Sequence, residues 1–217
     1  MRGGIREGHE GILQAATELF AAHGYSAVSV NQVAQKAHVC KANVFHHYIS
    51  KEGLYLAVLR RAFERSAHML EGLRDGNEGS LPVRLKRLAE SHLNMLDSNP
   101  THRELLLREI LLGSTMQGRR MAQDLFSANM SRIIELLTDD ETALQSQTSL
   151  TLMALALFLN NAFISQSRSL FEQFPDLYAV MHDTAAYCDA MADMLLHGIM
   201  CCGQEVATAS ENQDIRV

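Results

Sequence analysis

Apolar residues recur every three or four positions along most of this chain, and no other feature constrains its fold as strongly. At 3.6 residues per turn that spacing gathers them on one helical face, whereas a half-buried strand needs strict alternation. Alternation occurs only in short pieces. Good helix formers dominate, among them alanine, leucine, methionine, glutamate, glutamine and arginine, and only 3 prolines occur in 217 residues. With 47% apolar residues the chain can bury a sizeable core. The reading is an all-α protein of one large domain or two small ones.

The punctuation divides that pattern. A first helix is predicted over about Ile5 to His23, with Ile12, Leu13, Ala16, Leu19 and Phe20 on one face and Gly24 as its stop. Ser29-Val30-Asn31-Gln32 matches a capping box and opens a short second helix. After a break at His38-Val39-Cys40, a third short helix covers about Lys41 to Tyr48, with Val44 and Tyr48 facing inward. Ser50 caps a fourth from Lys51 to about Arg74, which a loop at 75–80 ends. Further helices are predicted from Pro82 to Ser98, from Asn99-Pro100 to Gly113, and from about Met116 to Leu137. The last two run over about Glu141–Phe171 and Asp176–Met200, and a disordered tail is expected over 203–217.

Charge is unevenly spread. Residues 1–65 carry 8 Lys+Arg against 5 Asp+Glu, while the rest carries 11 against 20, so a mildly basic head precedes an acidic body. The four cysteines, Cys40, Cys188, Cys201 and Cys202, form no CxxC, and no secretory signal precedes the first helix. A reduced, cytoplasmic setting is expected. The longest apolar stretch, Leu150 to Leu159, is short of the roughly 18–20 residues of a membrane span, so no membrane partner is expected.

Two short helices joined by a tight turn and followed by a capped longer one describe a helix-turn-helix over about 29–48. Val39, Val44 and Tyr48 would pin the third helix, leaving Lys41, Ala42, Asn43, His46 and His47 outward. The order and spacing of Ile12-Leu13-Gln14-Ala15-Ala16, Leu19-Phe20, Gly24-Tyr25, Ser29-Val30, Val33-Ala34, Ala37, Val39, Lys41 through Tyr48 and Ser50-Lys51-Glu52 carry a family likeness. Residues 12–58 resemble the N-terminal domain of the tetracycline-repressor (TetR) family. The resemblance implies about nine helices. A three-helix DNA-binding domain would occupy 1–52 and a helical-bundle domain for ligand binding and dimerisation 53–202.

It also implies residue roles. Ser29, Val30 and Asn31, at a helix N-terminus, would approach the DNA backbone. Lys41 would sit in or beside the major groove, with Cys40 and Ala42 next to it. Asn43 could read adenine. Phe45 would pack against sugar-phosphate, His46 and His47 would reach phosphate or base edges, and Lys51 would hold phosphate. The sequence departs from the family at two positions: His38 stands where glycine is usual in the turn, and Cys40 where serine or threonine caps the recognition helix. A thiol caps poorly; one at a helix N-terminus can also gain acidity, so oxidant sensing stands as an alternative to a neutral substitution.

In the body, His92, Met95, Phe126, Met130, Met153, Phe158, Asn160 and Asn161 are the candidate lining of a pocket for a small, hydrophobic inducer. His92, Asn160 and Asn161 read first as satisfied core or dimer-interface groups, with inducer contact as the second reading. Adjacent His46 and His47 make a poor chelating pair, and His197 with Cys201 reads as two side chains near a fraying end, so no metal and no cofactor is expected. Broad apolar stripes on the last two helices suit a homodimer built through them. The expected function is a DNA-binding regulator, a repressor on a palindromic operator released by its inducer. A thiol- or metal-responsive DNA-binding sensor is the alternative. A helical-bundle enzyme or carrier is a weaker rival, since no Gly-rich phosphate loop, HExxH or GxSxG occurs.

Overall fold

The computed structural model describes residues 3–74, 79–138 and 147–211, with side chains between Gly8 and His197 within those ranges. Ten α-helices follow one another among the described residues: α1 (Gly3–Ala27), α2 (Val30–Lys36), α3 (Lys41–Tyr48), α4 (Lys51–Arg74), α5 (Leu81–Asp97), α6 (Pro100–Leu112), α7 (Met116–Leu137), α8 (Gln147–Ser167), α9 (Pro175–His182) and α10 (Thr184–Glu211). A 3₁₀ turn at Arg168–Phe171 follows α8.

The helices form two compact units. One unit comprises residues 1–69 and 95–129, the other 70–94 and 130–217. The first unit extends past the three N-terminal helices because α4, α6 and α7 help build its core. Phe20, Val33, Val44, Leu54, Tyr55, Leu59, Leu105 and Ala122 belong to one buried cluster. α1 packs along α6. Gly24 breaks α1 with φ 77°, ψ 168°, a left-handed conformation suited to glycine, beside Arg108 of α6. Tyr55 donates to Glu109 Oε2 (2.5 Å) and accepts from the Ser114 hydroxyl (2.8 Å), joining α4 to the end of α6.

The second unit buries Leu85, Leu88, Leu93, Ile133, Leu150, Met153, Leu157, Ile164, Cys188 and Met191. Arg84 donates to the Leu137 carbonyl (3.2 Å), satisfying an acceptor at the end of α7. Lys86 pairs with Asp189 (2.5 Å).

Two expectations change here. The helix expected over Asp176–Met200 is split at Asp183, whose carboxylate accepts from Ala185 N (3.0 Å) and Ala186 N (3.1 Å) and so starts α10 afresh. The chain past Gly203, expected as a disordered tail, continues α10 to Glu211. Gln204, Glu205, Ala207 and Ala209 sustain a helix already nucleated without an apolar stripe. Residues 212–217 lie outside the described part, as do 141–146 of the helix expected from Glu141.

Length and composition alone would let Gln147–Phe171 cross a membrane (mean hydropathy 1.5). Asn161, fully buried near its middle, instead donates to the Ala89 carbonyl inside the second unit (2.8 Å).

Candidate nucleic-acid interface

The capping box forms as its sequence predicts. Gln32 N donates to Ser29 Oγ (3.2 Å) and Ser29 N to Gln32 Oε1 (2.7 Å), fixing the start of α2. His38 then takes φ 55° in the turn, the left-handed conformation expected of its position. Val39 N closes the turn onto the Ala34 carbonyl (2.9 Å). Cys40 starts α3 without any side-chain cap, and its thiol is exposed.

Buried Val44 and Tyr48 hold the inner face of α3, at roughly 1.5–3 kcal/mol for a fully buried side chain of this size. Lys41, Ala42, Phe45 and His46 are exposed; Phe45 keeps 39% of its surface open, unusual for an aromatic without a partner. The Lys41 ammonium lies 5.7 Å from the Phe45 ring centroid.

Residues distant in sequence converge beside that face. Ser29, Val30, Asn31, Lys41, Phe45 and Lys51 line one open groove of about 370 Å³, floored by Ser26, Ala27 and Val28. Lys51 donates to the Ser26 carbonyl (3.4 Å) and sits 4.3 Å from the Tyr25 ring centroid, and partial burial lowers its pKa. Two cations, a polar helix start and an exposed aromatic form a surface suited to a sugar-phosphate strand.

Asn43 and His47, four apart, occupy a different flank of α3. Both are half-buried, Asn43 beside Gly8 and His47 edge-on to His9 at 5.5 Å between centroids. Tyr48 stacks on His9 at 5.2 Å and shares a hydrogen bond with its Nε2 (3.0 Å). Burial, then the neighbouring charges of His9 and His46, lower the His47 pKa, which favours the neutral ring. Burial, with Glu10 adding to it and Arg61 opposing, pushes Tyr48 up to about 12. His9 has no sequence mark of this role, because its place against α3 is set by tertiary packing.

At the junction of α3 and α4 the sequence marks the Ser50 cap but not the turn before it. Ile49 takes φ 61°, ψ −43°, and Ser50 N donates to the Tyr48 carbonyl (2.5 Å), a strained γ-turn. Ser50 Oγ accepts from Gly53 N (2.9 Å), the cap expected for α4. A Cβ on Gly53 would overlap the Tyr48 carbonyl oxygen, so only glycine fits there unchanged.

Residues 12–58 match the family model "Bacterial regulatory proteins, tetR family". Residues 12–58 are thus a DNA-binding domain of the TetR type. Among curated relatives, it is 30% identical over 117 residues to the HTH-type transcriptional regulator RutR of Escherichia coli O157:H7, an alignment covering 54% of each chain. The chain thus spans about half the length of the curated relatives it matches. Among solved structures, a TetR-like regulator from Rhodococcus sp. RHA1 shares the fold at TM-score 0.65 and 21% identity, over 89% of this chain and 96% of that one. FadR of Bacillus subtilis, in complex with stearoyl-CoA, does so at TM-score 0.63 and 17% identity, over 88% and 98%.

The candidate pocket residues are divided between the two units. Met95 and Phe126 belong to the first unit, where Phe126 packs on the core, while His92, Met130, Met153, Phe158, Asn160 and Asn161 belong to the second. Three of these meet. His92 stacks on Phe158 at 3.8 Å between centroids, and Asn161 Nδ2 lies 3.3 Å from His92 Nδ1, leaving Asn161 Oδ1 buried without a partner. Asn160 instead donates to the Ala156 carbonyl of its own helix (3.1 Å). A cavity of about 580 Å³ in the second unit is lined by Leu70, Glu71, Arg74, Arg132, Glu135 and Leu136, none of them an expected lining residue. The side chains of Cys201 and Cys202 lie outside the described residues.

Proposed function

We propose that this protein is a repressor that binds a palindromic operator in double-stranded DNA as a homodimer and is released by a small, hydrophobic inducer. The groove uniting Ser29, Asn31, Lys41, Phe45 and Lys51 carries the reading. In it Lys41 and Lys51 hold one backbone strand, Phe45 packs on sugar, and Ala42 and His46 enter the major groove. Asn43 and His47, on the flank toward α1, reach the groove wall with donor and acceptor groups.

Exposed apolar residues on the last helices support the dimer: Leu152, Leu159 and Phe163 on α8, and Met194 on α10. The unpartnered Asn161 Oδ1, beside His92 and Phe158, is the polar anchor we assign to the inducer. α4 contributes residues to both units and is the element through which inducer would act on the head. The inducer must favour the released state, or no shift follows. We place the protein in the cytoplasm, free of membrane, and assign it no catalysis.

Selection from random duplexes followed by anisotropy titration tests this reading. A near-palindrome with half-sites about 34–36 Å apart, or a multiple of that, is expected. Sequence-independent binding alone would refute it.

A further inference from the structure

The first unit holds a second polar concavity that the DNA-binding reading does not use. It lies where α6 begins, against α1 and α4, and is lined by Gln14, Thr17, Val58, Arg61, Ala62, Arg65, Asn99, Thr101 and His102. Its volume is about 60 Å³, room for a group of a few heavy atoms. That suits one small polar group and not an organic body.

Everything facing it is neutral or cationic. Arg61 and Arg65, four apart on α4, present their guanidinium groups on one face, and no acidic residue lines the pocket. Arg61 Nη2 is paired with Glu10 Oε1 (2.5 Å), but Arg61 Nη1 is buried and has no partner. α6 is 13 residues long and points its N-terminus here. Its N-cap, Asn99, makes no side-chain cap bond, so the first-turn amides of Thr101 and His102 have no such acceptor.

The deciding observation is His102. Its side chain is 4% exposed, lines the pocket, and leaves Nε2 buried without a hydrogen-bond partner. A buried polar atom of this kind costs about 1–3 kcal/mol unless something in the pocket meets it.

We propose that this pocket binds a small oxyanion, a carboxylate or a phosphate, held by Arg61, Arg65, His102 and the first-turn amides of α6. Burial and Arg65 lower the His102 pKa to about 4, which favours the neutral ring. An anion at Nε2 would raise that pKa and make the ring a donor. The assignment does not depend on DNA binding.

The test uses the full chain and needs no DNA. The ring ¹⁵N resonances of His102 and the unfolding midpoint are followed while inorganic phosphate, or separately acetate, is titrated at constant ionic strength. A saturable His102 shift with a rise in midpoint is expected for at least one anion. Saturation by phosphate alone assigns a phosphate group; saturation by acetate alone assigns a carboxylate; saturation by both assigns either. Arg65→Gln, at an exposed residue, should keep the fold by circular dichroism and weaken that binding by about tenfold or more. A His102 resonance unmoved by either anion, or a shift that is identical in Arg65→Gln, overturns the proposal.

Discussion

Replacing Gly53 by alanine separates the structure from general rules by the sign of the effect. In a helix, Gly→Ala ordinarily stabilises by about 1 kcal/mol, through propensity and a less disordered unfolded chain. Here the new Cβ would overlap the Tyr48 carbonyl oxygen and crowd Ser50 Oγ at 3.3 Å. That carbonyl is backbone and already accepts from Ser50 N in the γ-turn at Ile49, so it cannot swing away. Relief must come from moving α4 against α3, and because the clash is with backbone the cost falls in the upper part, about 2–3 kcal/mol, of the range for an overpacked site. After the propensity gain is subtracted, a net loss of about 1–2 kcal/mol is expected. At about 2–4 °C per kcal/mol for a chain of this size, the unfolding midpoint should fall by roughly 2–8 °C. Matched thermal and urea denaturation of Gly53→Ala and the parent protein would measure it. A variant as stable as the parent, or more so, refutes the close approach and with it the geometry of the α3–α4 junction.

Other consequences follow from the same geometry. Lys41→Ala should weaken operator binding and reduce the slope of log affinity against log salt by about one; an unchanged slope removes Lys41 from the phosphate contacts. His102, neutral when folded with a pKa of about 4 against 6.5 for a free ring, should make stability pH-dependent in buffer free of phosphate and carboxylates. The unfolded state binds its proton first, so stability should drop by about 3 kcal/mol as pH falls from 6.5 to 4 and be flat for this group above 6.5. His102→Gln should remove that slope, and a slope that survives the substitution places its origin elsewhere. Leu159→Glu with Phe163→Glu should shift sedimentation from dimer to monomer while preserving helicity; an unchanged dimer would put the interface off this face of α8.

The helix-turn-helix was legible because its instructions are local. Ser29 and Gln32 cap each other across three residues, Gly24 and His38 mark the left-handed backbone, and Val44 with Tyr48 repeat at one turn. What could not be read depends on distant contacts. Asn43 and His47 look outward by type and spacing, yet α1 comes back beside them through Gly8 and His9. Leu105 and Ala122 carry no mark that they complete the first unit's core rather than the second's. The pocket candidates have a related limit: a methionine or phenylalanine stripe shows that a helix has an inner face, but not which neighbour it meets. The split at Asp183 was readable, since an aspartate followed by Thr184-Ala185-Ala186 is a start signal, but the continuous apolar stripe masked it.

The central claim is that the exposed face of α3 lies in the major groove. Attaching a DNA-cleaving iron chelate at position 42, as Ala42→Cys in a Cys40→Ser background, tests this on the selected operator. Cleavage clustered in the major groove of both half-sites is the predicted pattern. Operator binding of undiminished affinity with no cleavage from that position would contradict the account.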